Sequence, residues 1–301
     1  MTPPARWLLN LAADEELATG GPPPRRVEER LAAAKAAFVA ALPAGHHVLA
    51  AAPRGSRGAP TFGRGTPTCG RPWCPTPSAV ARLREAGVPV RRFPPLDVLR
   101  RVNARPFAFA LGLAVPGARL ATTLAEVRAA SPASDPVRLS GAFTVAGRGH
   151  RVLRGRWTPA DEAWARRQLG RGPIVVAPQL EVVTELALHG RLTAAGLAQV
   201  GRPVLQRTDR RGAWRGSAAA RRVDVDPALT RAMETALERA AGRLRAAGYT
   251  GPFGIDGLLG RGRGARLEIA PLNELNARYT MGWPVAFGWV DSLAPAWDGA
   301  R

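Results

Sequence analysis

Apolar positions along the chain recur in two periods, and the two alternate. From Val27 to Leu42, Leu31, Ala34, Phe38 and Leu42 fall at helical spacing. Ala79 to Ala86 reads as a second helix, closed by Gly87. Thr158 to Leu169 reads as a third, with Pro159 at its start, Asp161 and Glu162 in the first turn and Gly170 as its stop. Asp226 caps a fourth, with Pro227 at its first position, an apolar stripe of Leu229, Met233, Leu237 and Leu244, and Gly248 at its end. Between them lie short apolar runs that suit strands: Trp7 to Leu11, Val48 to Ala52, Val88 to Phe93, Pro173 to Leu180 and Phe253 to Leu259. Leu192 to Gln206 and Arg207 to Gly216 read as strand and turn, and Trp283 to Val290 as a short terminal helix. Gly20 to Arg26 is a loop, and Arg54 to Pro77, dense in Gly, Pro and Thr, is a long one. No fixed-period repeat interrupts this alternation, which predicts an α/β or α+β fold.

Length and composition narrow the class. The chain has 301 residues, 46% of them hydrophobic, enough for a sizeable core or for two to three subdomains. No apolar run approaches the roughly 20 residues that span a bilayer. The N-terminus lacks a sustained apolar segment and quickly turns acidic, so no membrane association and a cytoplasmic location are expected. Cys69 and Cys74 match no zinc spacing, and buried or partly buried free thiols are expected. The net charge is +20, and of 43 basic residues only Lys35 is lysine, leaving 42 arginines. Such a bias, with abundant Ala, Gly and Pro, resembles the product of a GC-rich coding sequence and need not signal function. A basic surface would still attract nucleic acid, but the arginines are spread along the chain and no nucleic-acid-binding motif accompanies them.

The segment Gly251 to Gly282 carries the most chemistry. Asp256 sits inside an apolar run, and a second run ends in Glu274-Leu275-Asn276-Ala277-Arg278. On an extended strand alternate side chains share a face, so Glu274, Asn276 and Arg278 would point one way and Leu275 and Ala277 the other. Two carboxylates and an amide oxygen are hard ligands, suited to magnesium held against phosphates. An arginine beyond them suits an anion or a developing negative charge. The competing reading is a strand with a solvated polar face.

This pattern resembles the nucleotide-binding core of the ATP-grasp superfamily. The resemblance implies Asp256, Glu274 and Asn276 as Mg2+ ligands between the ATP phosphates, and Arg278 near the transferred phosphate or an acyl phosphate. Arg105 stands where a short helix carries a basic residue that reaches ATP; the alternative is an ordinary surface arginine. Arg138 stands at the place of a phosphate-contacting lysine, on a strand leading through Ser140 into the glycine-rich stretch Gly141 to Gly149. There Gly147, Arg148 and Gly149 would cover the phosphates, with His150 adding a donor, because small residues let backbone N–H groups approach closely. The alternative is a plain β-hairpin turn at Gly147 to Gly149. Pro178, Gln179 and Leu180 fall at the hinge whose backbone meets adenine, but Ala177 stands where the family has a glutamate. Glu185 or Glu181 would bind the ribose hydroxyls; the alternative for either is a solvent-facing strand residue.

The resemblance covers most of the chain. It implies an α/β pre-ATP-grasp domain over 1–100, an ATP-grasp N-terminal subdomain with the glycine-rich loop over 101–178, and a C-terminal subdomain with the metal site over 179–301. It implies an ATP- and magnesium-dependent ligase that joins a carboxylate to an amine through an acyl phosphate, with Arg138 and Arg278 as its catalytic side chains. The partners would be a small-molecule carboxylate and amine, and a homodimer is a common assembly among such enzymes. Two further readings stand beside this one. Ala177 and the missing lysines suit a non-catalytic ATP-grasp-like nucleotide-binding protein, and the charge alone suits a basic nucleic-acid-binding protein.

Overall fold

A computed structural model describes residues 5–49, 69–145, 148–209 and 214–288. The first part comprises β1 (Ala5–Leu8), α1 (Ala13–Thr19), α2 (Arg25–Arg30), α3 (Ala32–Ala40), β2 (His47–Val48), β3 (Cys69–Pro72) and α4 (Pro77–Glu85). β1 lies between β2 and β3 and runs parallel to both. Three sequence expectations are corrected here. The helix expected over 27–42 is two helices, broken at Leu31, where ψ is 0°. The strand expected over 88–93 does not form. Pro89, Pro94 and Pro95 lack the N–H a ladder needs, and the Pro89 carbonyl instead accepts from the Gly70 N–H at 2.8 Å. The third strand is Cys69–Pro72, from the end of the expected loop; the earlier part of that loop, 54–68, lies outside the described residues.

The middle part comprises α5 (Leu96–Asn103), α6 (Arg105–Phe109), β4 (Arg119–Ala121), α7 (Leu124–Ala129), β5 (Val137–Val145), β6 (Arg148–Leu153), α8 (Pro159–Leu169) and β7 (Ile174–Pro178). Its sheet is antiparallel in the order β4-β7-β5-β6. Helix α8 begins at a capping box: Thr158 Oγ1 accepts from the Asp161 N–H, and the Asp161 carboxylate accepts from the Thr158 N–H at 2.8 Å. Its Ala165 packs with Val127, Leu139 and Ile174 in a small core under this sheet.

The last part comprises β8 (Glu181–Thr193), β9 (Gly196–Val200), β10 (Val204–Thr208), β11 (Trp214–Ala219), α9 (Pro227–Ala246), β12 (Gly251–Arg261), β13 (Leu267–Asn276) and α10 (Trp283–Ala286). Its strands pair antiparallel in the order β11-β10-β8-β12-β13, with β9 on β8. Asp226 caps α9 by accepting from the Ala228 N–H at 2.7 Å. The α9 stripe Leu229, Met233, Leu237 and Leu244 is fully buried, at up to roughly 3 kcal/mol per side chain. α9 comes this close to β12 because Gly257 has no side chain: a Cβ there would lie 2.7 Å from Met233 Sδ. One core continues from Trp7, Phe38 and Trp73 through Val98 and Leu99 to Leu275 and α9, so the first and last sheets share an interior.

Candidate active site

β12 and β13 place Asp256 directly opposite Glu274. One register step further the pairing slips: Leu258 faces Ala270, so only Gly257 opposes the three residues Pro271 to Asn273. Pro271 lacks a ladder donor, which makes this a natural place for a bulge. The Asn273 carbonyl accepts from Arg105 Nη1 at 2.8 Å. Arg105 Nη2 lies 3.5 Å from Glu274 Oε1, which also accepts from Thr144 Oγ1 at 3.0 Å. The β13 ladder ends at Asn276, and Asn103 then takes over, accepting from the Ala277 N–H at 2.9 Å and donating to the Leu99 carbonyl at 2.9 Å.

A chain of hydrogen bonds crosses the floor of the site. Gln206 Nε2 donates to Asp256 Oδ1 at 2.7 Å, and Asn276 Nδ2 donates to Asp256 Oδ2 at 3.1 Å. Arg278 donates to Asn276 Oδ1 and to Asp14 Oδ2 on α1. Leu275 and Ala277, the alternate residues, are buried in the core. Burial, with Glu274 and then Glu185 nearby, pushes the Asp256 carboxyl well above the usual carboxylate range. Burial also raises Asp14, against the pull of Arg278. Burial opposes the Arg278 charge, yet Asp14, Cys74 and Glu274 hold its pKa above the ordinary value. The buried Nε–H groups of Arg105 and Arg278 have no acceptor among the described residues.

A second layer of charge surrounds this floor. Arg138 on β5 is part-buried; burial and then Arg105 lower its pKa, while Glu274 and Glu185 raise it. Its neighbour across the ladder on β7 is Ala177. Burial pushes Glu185 up, and Thr208 Oγ1 donates to it at 2.8 Å. His150 on β6 meets Ser140 on β5, Nδ1 to Oγ at 3.0 Å, and burial with Arg138 and Arg105 holds it well below the usual histidine range.

Asp256, Glu274, Asn276, Arg278, Arg105, Arg138 and Glu185 thus gather in one region. Other expected residues lie elsewhere or differ in role. Gln179 Nε2 donates to the adjacent Leu180 carbonyl, Pro178 packs near Gly117, and Leu180 joins an apolar cluster with Val115, Leu258 and Ala270. Glu181 is exposed at the start of β8, opposite Arg261. Gly149, at φ 87°, lies at the β5–β6 hairpin; a Cβ there would sit 2.9 Å from the Phe143 carbonyl. Gly147 lies outside the described residues, as does the Arg148 side chain. Both cysteines are free; Cys74 is buried and Cys69 partly so. No helix among the described residues is long and apolar enough to cross a membrane.

Asp14, Asn103, Thr144 and Gln206 have no sequence signal of their own. They lie up to 264 residues from their partners. Among the described residues, no three His, Cys, Asp or Glu form a metal cluster; the metal set named above is two acids and an amide.

No family model matches the chain, and no curated protein matches its sequence. Solved structures do resemble it. Pyruvate carboxylase from Rhizobium etli matches 95% of this chain and 27% of its own, at 16% identity and a TM-score of 0.53. The biotin carboxylase domain of 2-oxoglutarate carboxylase from Hydrogenobacter thermophilus matches 72% and 49%, at 16% identity and 0.50. An N5-carboxyaminoimidazole ribonucleotide synthetase in its ADP complex matches 70% and 54%, at 16% identity and 0.47. The matches to the last two span about half of those chains. The two structural matches at 0.50 and 0.53 show the fold: this chain has the ATP-grasp fold.

Proposed function

We propose that this chain is an ATP- and magnesium-dependent ligase that joins a carboxylate to an amine through an acyl phosphate. The observation that carries the proposal is the pairing of Asp256 with Glu274 in the company of two part-buried guanidinium groups, Arg105 and Arg278, each with an unpartnered buried Nε–H. Crowded, desolvated carboxylates attract a hard cation, and orphaned guanidinium donors attract phosphate oxygens. Asp256, Glu274 and Asn276 are the side chains that would hold magnesium, which when bound supplies charge neutralisation to the phosphates. In this state Asn276 turns its oxygen to Arg278, so its ligand role requires release from that arginine. The biotin carboxylase domain named above is described in complex with magnesium ADP and bicarbonate, which supports the same reading.

In the proposed reaction a carboxylate oxygen attacks the γ-phosphorus and ADP leaves. The amine nitrogen then attacks the acyl carbon and phosphate leaves. Arg105 and Arg138 would hold phosphate oxygens, and Arg278, held by Asp14, would face the charge that develops on the acyl phosphate. The β5–β6 hairpin would exclude water from that intermediate. We assign the three ranges 1–100, 101–178 and 179–301 to the pre-grasp domain and the two gripping subdomains.

Titration calorimetry with ATP, with and without magnesium, tests this on the wild type and Glu274→Ala. Magnesium-dependent binding that the variant loses is expected; no binding by the wild type would overturn the proposal. One observation favours a second reading. Ala177, beside Arg138, leaves that arginine without the acid the family places there. Magnesium-dependent ATP binding with no ADP release across a panel of carboxylates and amines would select a non-catalytic nucleotide-binding protein.

A further inference from the structure

Beside the candidate active site lies a cleft of about 480 Å³, bounded by α1, α2, α8 and the β5–β6 hairpin. Four arginines line it: Arg26 and Arg30 from α2, Arg167 from α8, and Arg171 just beyond α8. One acid, Glu15, accepts from Arg171 at 3.0 and 3.3 Å. Arg26, Arg30 and Arg167 have no ion pair or hydrogen bond among the described residues, although neighbours on the same helices do. Arg25 pairs with Glu29, and Arg166 pairs with Glu162. Arg26 and Arg30 are also four apart on one helix, where like charges repel. Around this cleft three such groups face one another across a concave wall, which leaves their charge open to a ligand.

The composition of the cleft specifies its occupant. Three uncommitted guanidinium groups suit a ligand with at least two negative charges, and guanidinium suits carboxylate and phosphate equally. Val27 and Phe143 supply apolar wall, so the charges sit on a short carbon skeleton. The volume falls in the range of small-molecule sites. The cleft also shares walls with the candidate active site: Glu15 lines it while Asp14 holds Arg278, and Phe143 lines it while Thr144 bonds Glu274. We propose that this cleft is a binding site for a small polyanion, phosphorylated or polycarboxylate, separate from the Asp256–Glu274 centre. The proposal does not depend on the ligase reading.

The test is titration of the full chain at low ionic strength with inorganic phosphate and, separately, citrate. Binding of at least one is expected, and the tighter of the two names the source of the charge. Arg30→Gln/Arg167→Gln should weaken it at least about tenfold, the scale of one lost charge-assisted contact. Arg84→Gln, an exposed arginine on α4, should leave it unchanged. The substituted side chains are exposed, so folding should survive, as circular dichroism would verify; Arg26→Gln serves as a second variant. Binding of neither probe, or binding that survives the double variant, would overturn the proposal. Loss in Arg105→Gln would also overturn it, by moving the anion to the guanidinium group beside Glu274. Loss of magnesium–ATP binding with polyanion binding intact would sink only the ligase reading.

Discussion

His189 makes a quantitative pH prediction. It lies on β8 opposite Gly254, two residues from Asp256, and is fully buried. Its ring fits beneath two glycines: a Cβ on Gly254 would come within 3.1 Å of it, and one on Gly282 within 2.7 Å. Nε2 meets Thr280 Oγ1 at 2.6 Å, while Nδ1 has no partner among the described residues. An imidazolium would need acceptors on both nitrogens, and burial alone takes the pKa down to about 3. The unfolded chain protonates this group near the ordinary value of about 6.5, so below that pH the unfolded state binds more protons. Stability is therefore complete above about pH 6.5 and falls as pH drops toward the native value. At pH 5 the loss is about 1.36 × 1.5, or roughly 2 kcal/mol, from this one residue. That is a large fraction of a typical 5–15 kcal/mol. Urea unfolding at pH 7, 6 and 5 measures it, with His189→Gln as the comparison, because glutamine keeps a polar tip but does not titrate. The wild type should lose roughly 2 kcal/mol more than the variant between pH 7 and 5. Equal slopes would refute the reasoning, because the other titrating groups are common to both proteins.

Other consequences can be checked more briefly. Asp161→Asn should cost about 1–2 kcal/mol at pH 7, since Asp161 closes the α8 capping box and pairs with Arg151. The Asp161 pKa is lowered: burial acts against this, but the Thr158 and Arg151 bonds outweigh it. Its contribution is therefore present above about pH 4 and lost as pH falls through the native value, where the two proteins should unfold alike. Ala177→Glu should set a carboxylate beside Arg138 on the same face, raising stability by up to about 1 kcal/mol in thermal unfolding; a destabilised variant would mean Arg138 points elsewhere. In native protein a thiol reagent should modify Cys69 and spare Cys74, whose thiol burial pushes up; two fast-reacting thiols would contradict the packing.

What the sequence disclosed depended on how local the cause was. Helices α8 and α9 could be read because cap, proline, stripe and stop lie within one stretch. The pairing of Asp256 with Glu274 was half legible: each acid stood out in an apolar run, but their exact opposition depends on a bulge at Pro271 that no periodicity announces. Strand Cys69–Pro72 was invisible because Cys, Gly, Arg and Pro carry little strand preference; it exists because β1 offers a parallel edge. Val88 to Phe93 failed for the converse reason, an apolar run whose prolines cannot complete a ladder. The link between Asp14 and Arg278 lay furthest from view. A part-buried arginine needs a counter-charge, yet β12 and β13 supply only Asp256 and Glu274, which crowd one another. Asp14 meets that need from the first α-helix of the chain, and so ties the β1 sheet to the side chain proposed to act on the acyl phosphate. Local rules locate the acids; the requirement that every buried charge find a partner decides which distant helix must close the site.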